Sequence, residues 1–174
     1  TREELLNIIR FWLGLGCDGF RVDMAANLVK NDDEQEETIK LWRKIFAVVN
    51  DEFPEAVFVS EWGSPKKALS GGFDMDFLLQ DGPSHYNDMF HSNEPFFSKE
   101  GKGTAAEFFK HYMECTKETA GKGQICLPSG NHDIPRISYY CDDVQRKLVY
   151  AFMMSMPTVP FIYYGDEIGM KYLP

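Results

Sequence analysis

Two acidic residues, Asp23 and Glu61, each end a short segment with the composition of a strand, at residues 18–23 and 56–61. The ends of parallel strands meet at one edge of a sheet, and neighbouring strands lie about 4.8 Å apart. The two carboxyl groups are therefore expected to face each other. Carboxyl groups about 5 to 5.5 Å apart cleave glycosidic bonds with retention of configuration, one as nucleophile and the other as acid and base.

Arg21 lies two residues before Asp23, so the period of two in a strand places both side chains on one face. A guanidinium at hydrogen-bonding distance favours the charged form of a carboxylate and fixes its orientation. A nucleophilic carboxylate must be ionised. The spacing therefore predicts that Arg21 holds Asp23 ready for attack.

A third group follows the strand predicted at residues 124–129, where His132 and Asp133 stand side by side. A histidine can hydrogen-bond to sugar hydroxyl groups. A further negative charge near the anomeric carbon favours a transition state with oxocarbenium character. These two residues are expected to complete the site.

Three segments that contain these residues resemble ordered sequence signatures of the alpha-amylase superfamily. They read Gly-Phe-Arg-Val-Asp at residues 19–23, Val-Ser-Glu-Trp at 59–62 and Ser-Gly-Asn-His-Asp at 129–133. The final segment, Phe-Ile-Tyr-Tyr-Gly-Asp-Glu at 161–167, is similar to the last barrel strand of that family and its loop. The run at 131–136 is closer to the α-glucosidase and trehalose-synthase-like members.

The resemblance implies a role for each matching residue. Asp23 would be the nucleophile, Glu61 the general acid and base, and Asp133 the stabiliser of the transition state. Arg21 would be the partner of the nucleophile, and His132 would donate to a substrate hydroxyl group. The reaction implied is hydrolysis or transfer at α-glucosidic bonds of α-glucans or oligosaccharides, through a covalent glycosyl-enzyme intermediate.

Four further positions complete the expectations for the site. Asn131 and Trp62 are predicted to bind substrate, although an aromatic residue beside a buried strand can equally belong to the core. His91 is expected to be an ordinary surface or loop histidine. Asp166 follows the last strand and is expected to serve loop hydrogen bonds rather than catalysis.

Strands near residues 18, 56, 73, 124 and 159 alternate with helical segments, which predicts an α/β fold with about five parallel strands. The turn formers Gly82, Pro83, Asn87 and Pro95 predict a loop between the third and fourth strands. The resemblance implies a partial (β/α)8 TIM barrel in which residues 1–174 run from the third helix to the eighth strand, the C-terminal part of the catalytic domain.

Five strands are too few to close an eight-stranded barrel, which takes about 250 residues. Open sheet edges predict self-association, and the missing strands predict that this fragment alone is inactive.

No metal or other cofactor is expected. Members of the family that bind calcium have a Lys-His pair after the nucleophile, where this sequence has Ala26 and Asn27. Two rival functions remain open. The acids and His132 could instead form an oxygen-rich metal site for metal-assisted hydrolysis, or the protein could be a non-catalytic carbohydrate-binding relative.

Composition excludes some partners. Eighteen Lys and Arg against 27 Asp and Glu give a net charge of -9, which repels the phosphates of nucleic acids. No apolar run reaches the length of a membrane span. The four cysteines form no zinc-type spacing, which favours thiols in a reducing, cytoplasmic compartment.

Overall fold

The structure, a computed structural model, describes residues 2–79 and 83–173. Gly82, which belongs to the predicted loop, lies outside the described residues. The chain divides into two compact units: a first unit of residues 1–77 and 119–123, and a second unit of residues 78–118 and 124–174.

Three parallel strands form the sheet of the first unit, with β2 between β1 and β3. Phe20 pairs with Phe58 across the first two strands. A side chain at Gly19 would clash with the backbone of Val57, because a Cβ atom there would lie 1.8 Å from the Val57 carbonyl oxygen. The strands are β1 (Gly19–Val22), β2 (Val57–Ser60) and β3 (Met75–Phe77).

Helices of the first unit cover its sheet with apolar faces. In the first helix, Leu6, Ile9 and Leu13 are buried at helical spacing, whereas Trp12 is exposed. In the core, the rings of Phe46 and Phe58 pack edge to face, with their centroids 5.0 Å apart. The elements are α1 (Arg2–Gly14), a 3-10 helix (Ala25–Asn27), α2 (Glu36–Glu52) and α3 (Pro65–Gly71).

Two parallel strands belong to the second unit, β4 (Gln124–Pro128) and β5 (Val159–Phe161). An apolar cluster lies inside this unit, in which the fully buried Leu127 packs with Phe108, Val149 and Met153. The helices are α4 (Tyr86–Phe90), α5 (Ala105–Thr119), α6 (Ile137–Tyr140) and α7 (Asp143–Ser155).

The start of α7 is fixed by a capping box. The Asp142 carboxylate accepts hydrogen bonds from the backbone of Val144 and Gln145, and the Gln145 side chain accepts one from the Asp142 backbone. Three backbone N–H groups of the helix end are satisfied in this way. Asp142, and not the neighbouring Asp143, is therefore the cap.

The predicted order of strands and helices is confirmed, with five strands at the expected places. The prediction of a loop around Asn87 is wrong, because residues 86–90 form α4. Tyr86, Met89 and Phe90 are buried there, so tertiary packing stabilises a helix that is too short to persist alone.

Candidate active site

One guanidinium contacts two carboxylates at the end of β1 in the first unit. Arg21 Nη1 donates to Asp23 Oδ1 at 2.6 Å, and Nη2 of the same side chain contacts Glu61 Oε1. The period of two in β1 gives the first contact, and the parallel pairing of β1 with β2 gives the second. The structure therefore brings Arg21, Asp23 and Glu61 together.

The two carboxylates differ in their exposure to solvent. The Asp23 side chain is 69% exposed, whereas that of Glu61 is 14% exposed. Backbone amides also hold Glu61: its own N–H donates to the Val22 carbonyl oxygen at 2.9 Å, and the Met24 N–H lies 3.4 Å from Oε2. Met24 presents this N–H from a left-handed conformation with φ 46°. Both oxygens of Glu61 thus face donors.

A buried acid that the sequence did not single out lies beside Glu61. Asp76 in β3 is fully buried and pairs in register with Ser60. Its Oδ1 accepts from the Ser60 hydroxyl at 2.7 Å and from the Trp62 N–H at 3.0 Å. Burial raises the pKa of Asp76 to about 6, although these hydrogen bonds lower it.

Trp62 lies in the core of the first unit, unlike the substrate-binding position expected for it. Its side chain is 9% exposed and packs edge to face on Phe73. The indole N–H donates to Gln35 Oε1 at 2.9 Å. The position of Trp62 agrees with the alternative that it is a core residue, because other residues of the first unit cover its ring.

Asn131, His132 and Asp133 form a tight turn after β4 in the second unit. Asn131 Oδ1 accepts from the Asp133 N–H at 2.9 Å, and His132 Nε2 lies 3.5 Å from Asp133 Oδ1. The side chains of His132 and Asp133 are 66% and 55% exposed. The structure therefore presents both to solvent, where a ligand could reach them.

The ring of a buried histidine lies between the two ends of this turn. His91 Nε2 lies 2.9 Å from the Ser129 carbonyl oxygen, and Nδ1 lies 3.0 Å from that of Pro135. His91 is therefore not a surface histidine, although it lies in the turn after α4. Tyr86 and Phe90 pack against its ring within the core. Burial lowers the pKa of His91 to about 4, although the two carbonyl contacts raise it.

A second buried contact fixes the start of the turn. Asp166 accepts from the Ser129 hydroxyl at 2.7 Å and from Arg136 Nη1 at 2.9 Å. The Ser129 hydroxyl in turn accepts from the Tyr163 N–H. Asp166 thus serves loop hydrogen bonds, as expected from its position after the last strand. The sequence did not predict which residue Asp166 binds, because its partner Ser129 is distant from it in the chain.

The candidate residues form two sets, one in each unit. The first set is Arg21, Asp23 and Glu61, and the second set is residues 131–133. The convergence of the second set on the first stays a prediction. Within either unit, over the residues described, no three His, Cys, Asp or Glu side chains are arranged to hold a metal ion. No helix in the described ranges has the length and hydropathy of a membrane span.

Comparison with known proteins matches residues 1–173 to the family model of the alpha amylase catalytic domain. The chain is 24% identical to alpha-amylase 3 of Dictyoglomus thermophilum, covering 98% of this chain and 33% of that protein. It is 29% identical to a 4-alpha-glucanotransferase of Thermotoga neapolitana, with 97% and 35% covered. Neopullulanase 2 of Thermoactinomyces vulgaris is 30% identical, with 98% and 27% covered.

Two solved structures show the same fold. Eubacterium rectale Amy13B matches with a TM-score of 0.74 at 24% identity, covering 98% of this chain and 34% of that one. The cyclic alpha-maltosyl-(1→6)-maltose hydrolase of Arthrobacter globiformis, in its ligand-free form, matches with a TM-score of 0.74 at 22% identity, with 98% and 36% covered. The chain spans about a third of the length of such relatives.

Proposed function

The chain belongs to the alpha-amylase family, and from that premise we propose that it carries the catalytic acids of an enzyme that cleaves α-glucosidic bonds with retention. Its five strands and their helices correspond to part of a (β/α)8 barrel. The observation that carries the proposal is the contact of Arg21 with both Asp23 and Glu61. Retaining glycosidases require two carboxyl groups within about 5 to 5.5 Å.

In the first step, a carboxylate oxygen of Asp23 attacks the anomeric carbon. The bond from this carbon to the glycosidic oxygen breaks, and Glu61 gives its proton to the leaving oxygen. The result is a covalent glycosyl ester on Asp23. The exposed position of Asp23 leaves its carboxylate accessible to substrate, while Arg21 orients it.

In the second step, Glu61 removes a proton from water, or from a sugar hydroxyl group in a transfer reaction. The oxygen attacks the anomeric carbon, and the Asp23 carboxylate leaves. Asp133 favours the positive charge that develops on the sugar ring, while His132 and Asn131 bind its hydroxyl groups. The exposed turn of residues 131–133 supports these roles.

The proposed substrates are α-glucans or oligosaccharides. The relatives named above include an amylase, a glucanotransferase and a neopullulanase, so both hydrolysis and transfer occur among similar proteins. The proposal assigns no metal to the reaction, so activity should persist in a chelator. Loss of activity on chelation, restored by a divalent ion, would instead favour metal-assisted hydrolysis.

Product stereochemistry tests the proposal. In a protein that contains this chain together with the remaining barrel, NMR of fresh maltotriose digests should show the α anomer first. Glu61→Gln should abolish turnover of maltotriose, and azide should restore cleavage of an activated glycoside by replacing water in the second step. Initial release of the β anomer would refute retention. A protein without any turnover would favour the carbohydrate-binding alternative.

We also propose that the 174-residue chain alone is inactive and self-associates. In the first unit β1 pairs only with β2 among the described strands, and in the second unit β5 pairs only with β4. Unpaired strand edges promote association. Turnover of maltooligosaccharides by the purified chain would refute the first claim, and a clean monomer in light scattering would refute the second.

A further inference from the structure

Glu61 lies one residue beyond the end of β2, and its backbone is held from both sides. On one side its N–H donates to Val22 in β1. On the other side, Asp76 Oδ1 receives the hydroxyl of Ser60 and the N–H of Trp62, which are the two residues that flank Glu61. A single carboxylate oxygen therefore holds the residues before and after the proposed general acid.

Burial by itself does not favour an acid at this position. Asp76 is fully buried, and its Oδ2 has no hydrogen-bond partner among the described residues. An incompletely paired buried carboxylate opposes folding, and an apolar side chain could occupy the same space without that cost. The gain must lie in what Oδ1 holds, because Trp62 has passed the end of the strand and its N–H needs another acceptor.

We propose that Asp76 is a positioning residue that sets the place of Glu61 relative to the glycosidic oxygen. The inference rests on the proposed function, since it gives Glu61 the role of general acid. Protonation of a leaving group requires the acid within hydrogen-bond reach of one oxygen atom. A carboxylate that holds both neighbours of Glu61 restricts the backbone from which this acid extends.

Two substrates with different leaving groups distinguish a loss of acid positioning from general damage to the protein. Fluoride departs with little help from an acid, whereas the sugar hydroxyl group of maltotriose needs a proton. The value of kcat/KM reports only steps up to formation of the covalent intermediate. We therefore compare kcat/KM for maltotriose with kcat/KM for α-maltosyl fluoride, in the protein that contains the remaining barrel.

Asp76→Ala should lower kcat/KM for maltotriose by about 10-fold to 100-fold. This loss is a part of the rate enhancement of about 10²-fold to 10⁴-fold that a general acid supplies. The value for the fluoride should change less than about 3-fold. Asp76→Asn retains an acceptor oxygen for Ser60 and Trp62, so it should restore most of the loss. If the alanine variant does not fold, Ser60→Ala removes one of the two contacts and should lower only the maltotriose value.

Asp74 provides a matched control in the same strand region. Its Oδ2 accepts from the Phe58 N–H at 2.8 Å, so it also binds the backbone of β2, but three residues before Glu61. Asp74→Asn should leave the ratio of the two kcat/KM values unchanged. Equal losses on both substrates in the Asp76 variants would show a merely structural role and overturn the inference.

Glu61→Gln distinguishes failure of this inference from failure of the proposed function. If Glu61 is the general acid, this variant loses maltotriose cleavage and keeps most of the first step with the fluoride. A Glu61 variant that loses both equally would refute the proposed function, and the inference with it. If Glu61→Gln loses activity on maltotriose but not on the fluoride, while Asp76→Ala loses activity on both equally, the inference fails and the proposed function stands.

Discussion

Asp23 and Glu61 share the guanidinium of Arg21, although the two acids lie 38 positions apart in the chain and end different strands. One rigid, planar group thus fixes the orientation of both carboxylates. The arrangement joins the proposed nucleophile to the proposed acid through a single side chain. A change at Arg21 should therefore disturb both catalytic steps.

Arg21→Lys should lower kcat of the complete enzyme by about 10²-fold or more, because one ammonium group cannot reproduce the contacts that the two guanidinium nitrogens make with Asp23 and Glu61. Steady-state kinetics with maltotriose measure the loss. Arg10 offers a control, since it contacts Glu52 with two hydrogen bonds on the surface of the same unit. Arg10→Lys should keep kcat within about 2-fold, since exposed ion pairs contribute little; an equal loss there would contradict the assignment.

The buried Asp76 should make the protein less stable as the pH rises from about 4 to about 6. Its pKa is about 6 in the folded protein and 3.8 as the reference value, so the folded state holds more protons in this interval. The contribution of Asp76 to the unfolding free energy then falls with pH. Asp76→Asn removes this titration and should gain roughly 1 to 3 kcal/mol relative to the wild type across the interval. Urea unfolding at both pH values measures the difference, and parallel pH profiles would contradict the assignment.

His91 should have the opposite effect on stability. Its pKa is about 4 in the folded protein, below the reference value of 6.5, so the unfolded state binds more protons between these values. The contribution of His91 to the unfolding free energy should therefore rise with pH from about 4 to 6.5, opposite in sign to that of Asp76. In urea unfolding, His91→Asn should lose this rise relative to the wild type. The exposed residue His85 is a control, because the pH profile of His85→Asn should parallel that of the wild type; the same change in both variants would exclude His91 as its source.

The capping box of α7 gives a prediction independent of catalysis. Asp142→Ala should lower the unfolding free energy by about 1 kcal/mol, because two backbone N–H groups lose their acceptor. Asp143→Ala removes an ion pair with Arg146 in which the Asp143 side chain is 84% exposed, and it should cost less than about 0.5 kcal/mol. Thermal or urea unfolding compares the two, and equal costs would contradict the assignment of Asp142 as the cap.

Local sequence patterns predicted the contacts between residues that lie close together in the chain. The period of two in β1 predicted that Arg21 faces Asp23. The alternation of strands and helices predicted five strands in their observed order. These features follow from the geometry of one element, so they can be inferred without knowing what packs against it.

Contacts set by distant residues were not predictable in the same way. Asp76 has the position of an ordinary acid in a short strand, and its burial depends on the facing residue Ser60. His91 follows α4, which was not predicted because its segment contains turn-forming residues. The partners of His91 lie about 40 positions away, around the turn after β4. The indole of Trp62 likewise meets Gln35, which no local pattern indicates.

Trapping of the covalent intermediate identifies the nucleophile. The complete enzyme is treated with a 5-fluoro-α-glucosyl fluoride, digested, and its labelled peptide is sequenced by mass spectrometry. One glycosyl group is expected, attached to the carboxylate of Asp23. A label on any other residue, while the enzyme is inactivated with one equivalent of reagent, would contradict this expectation.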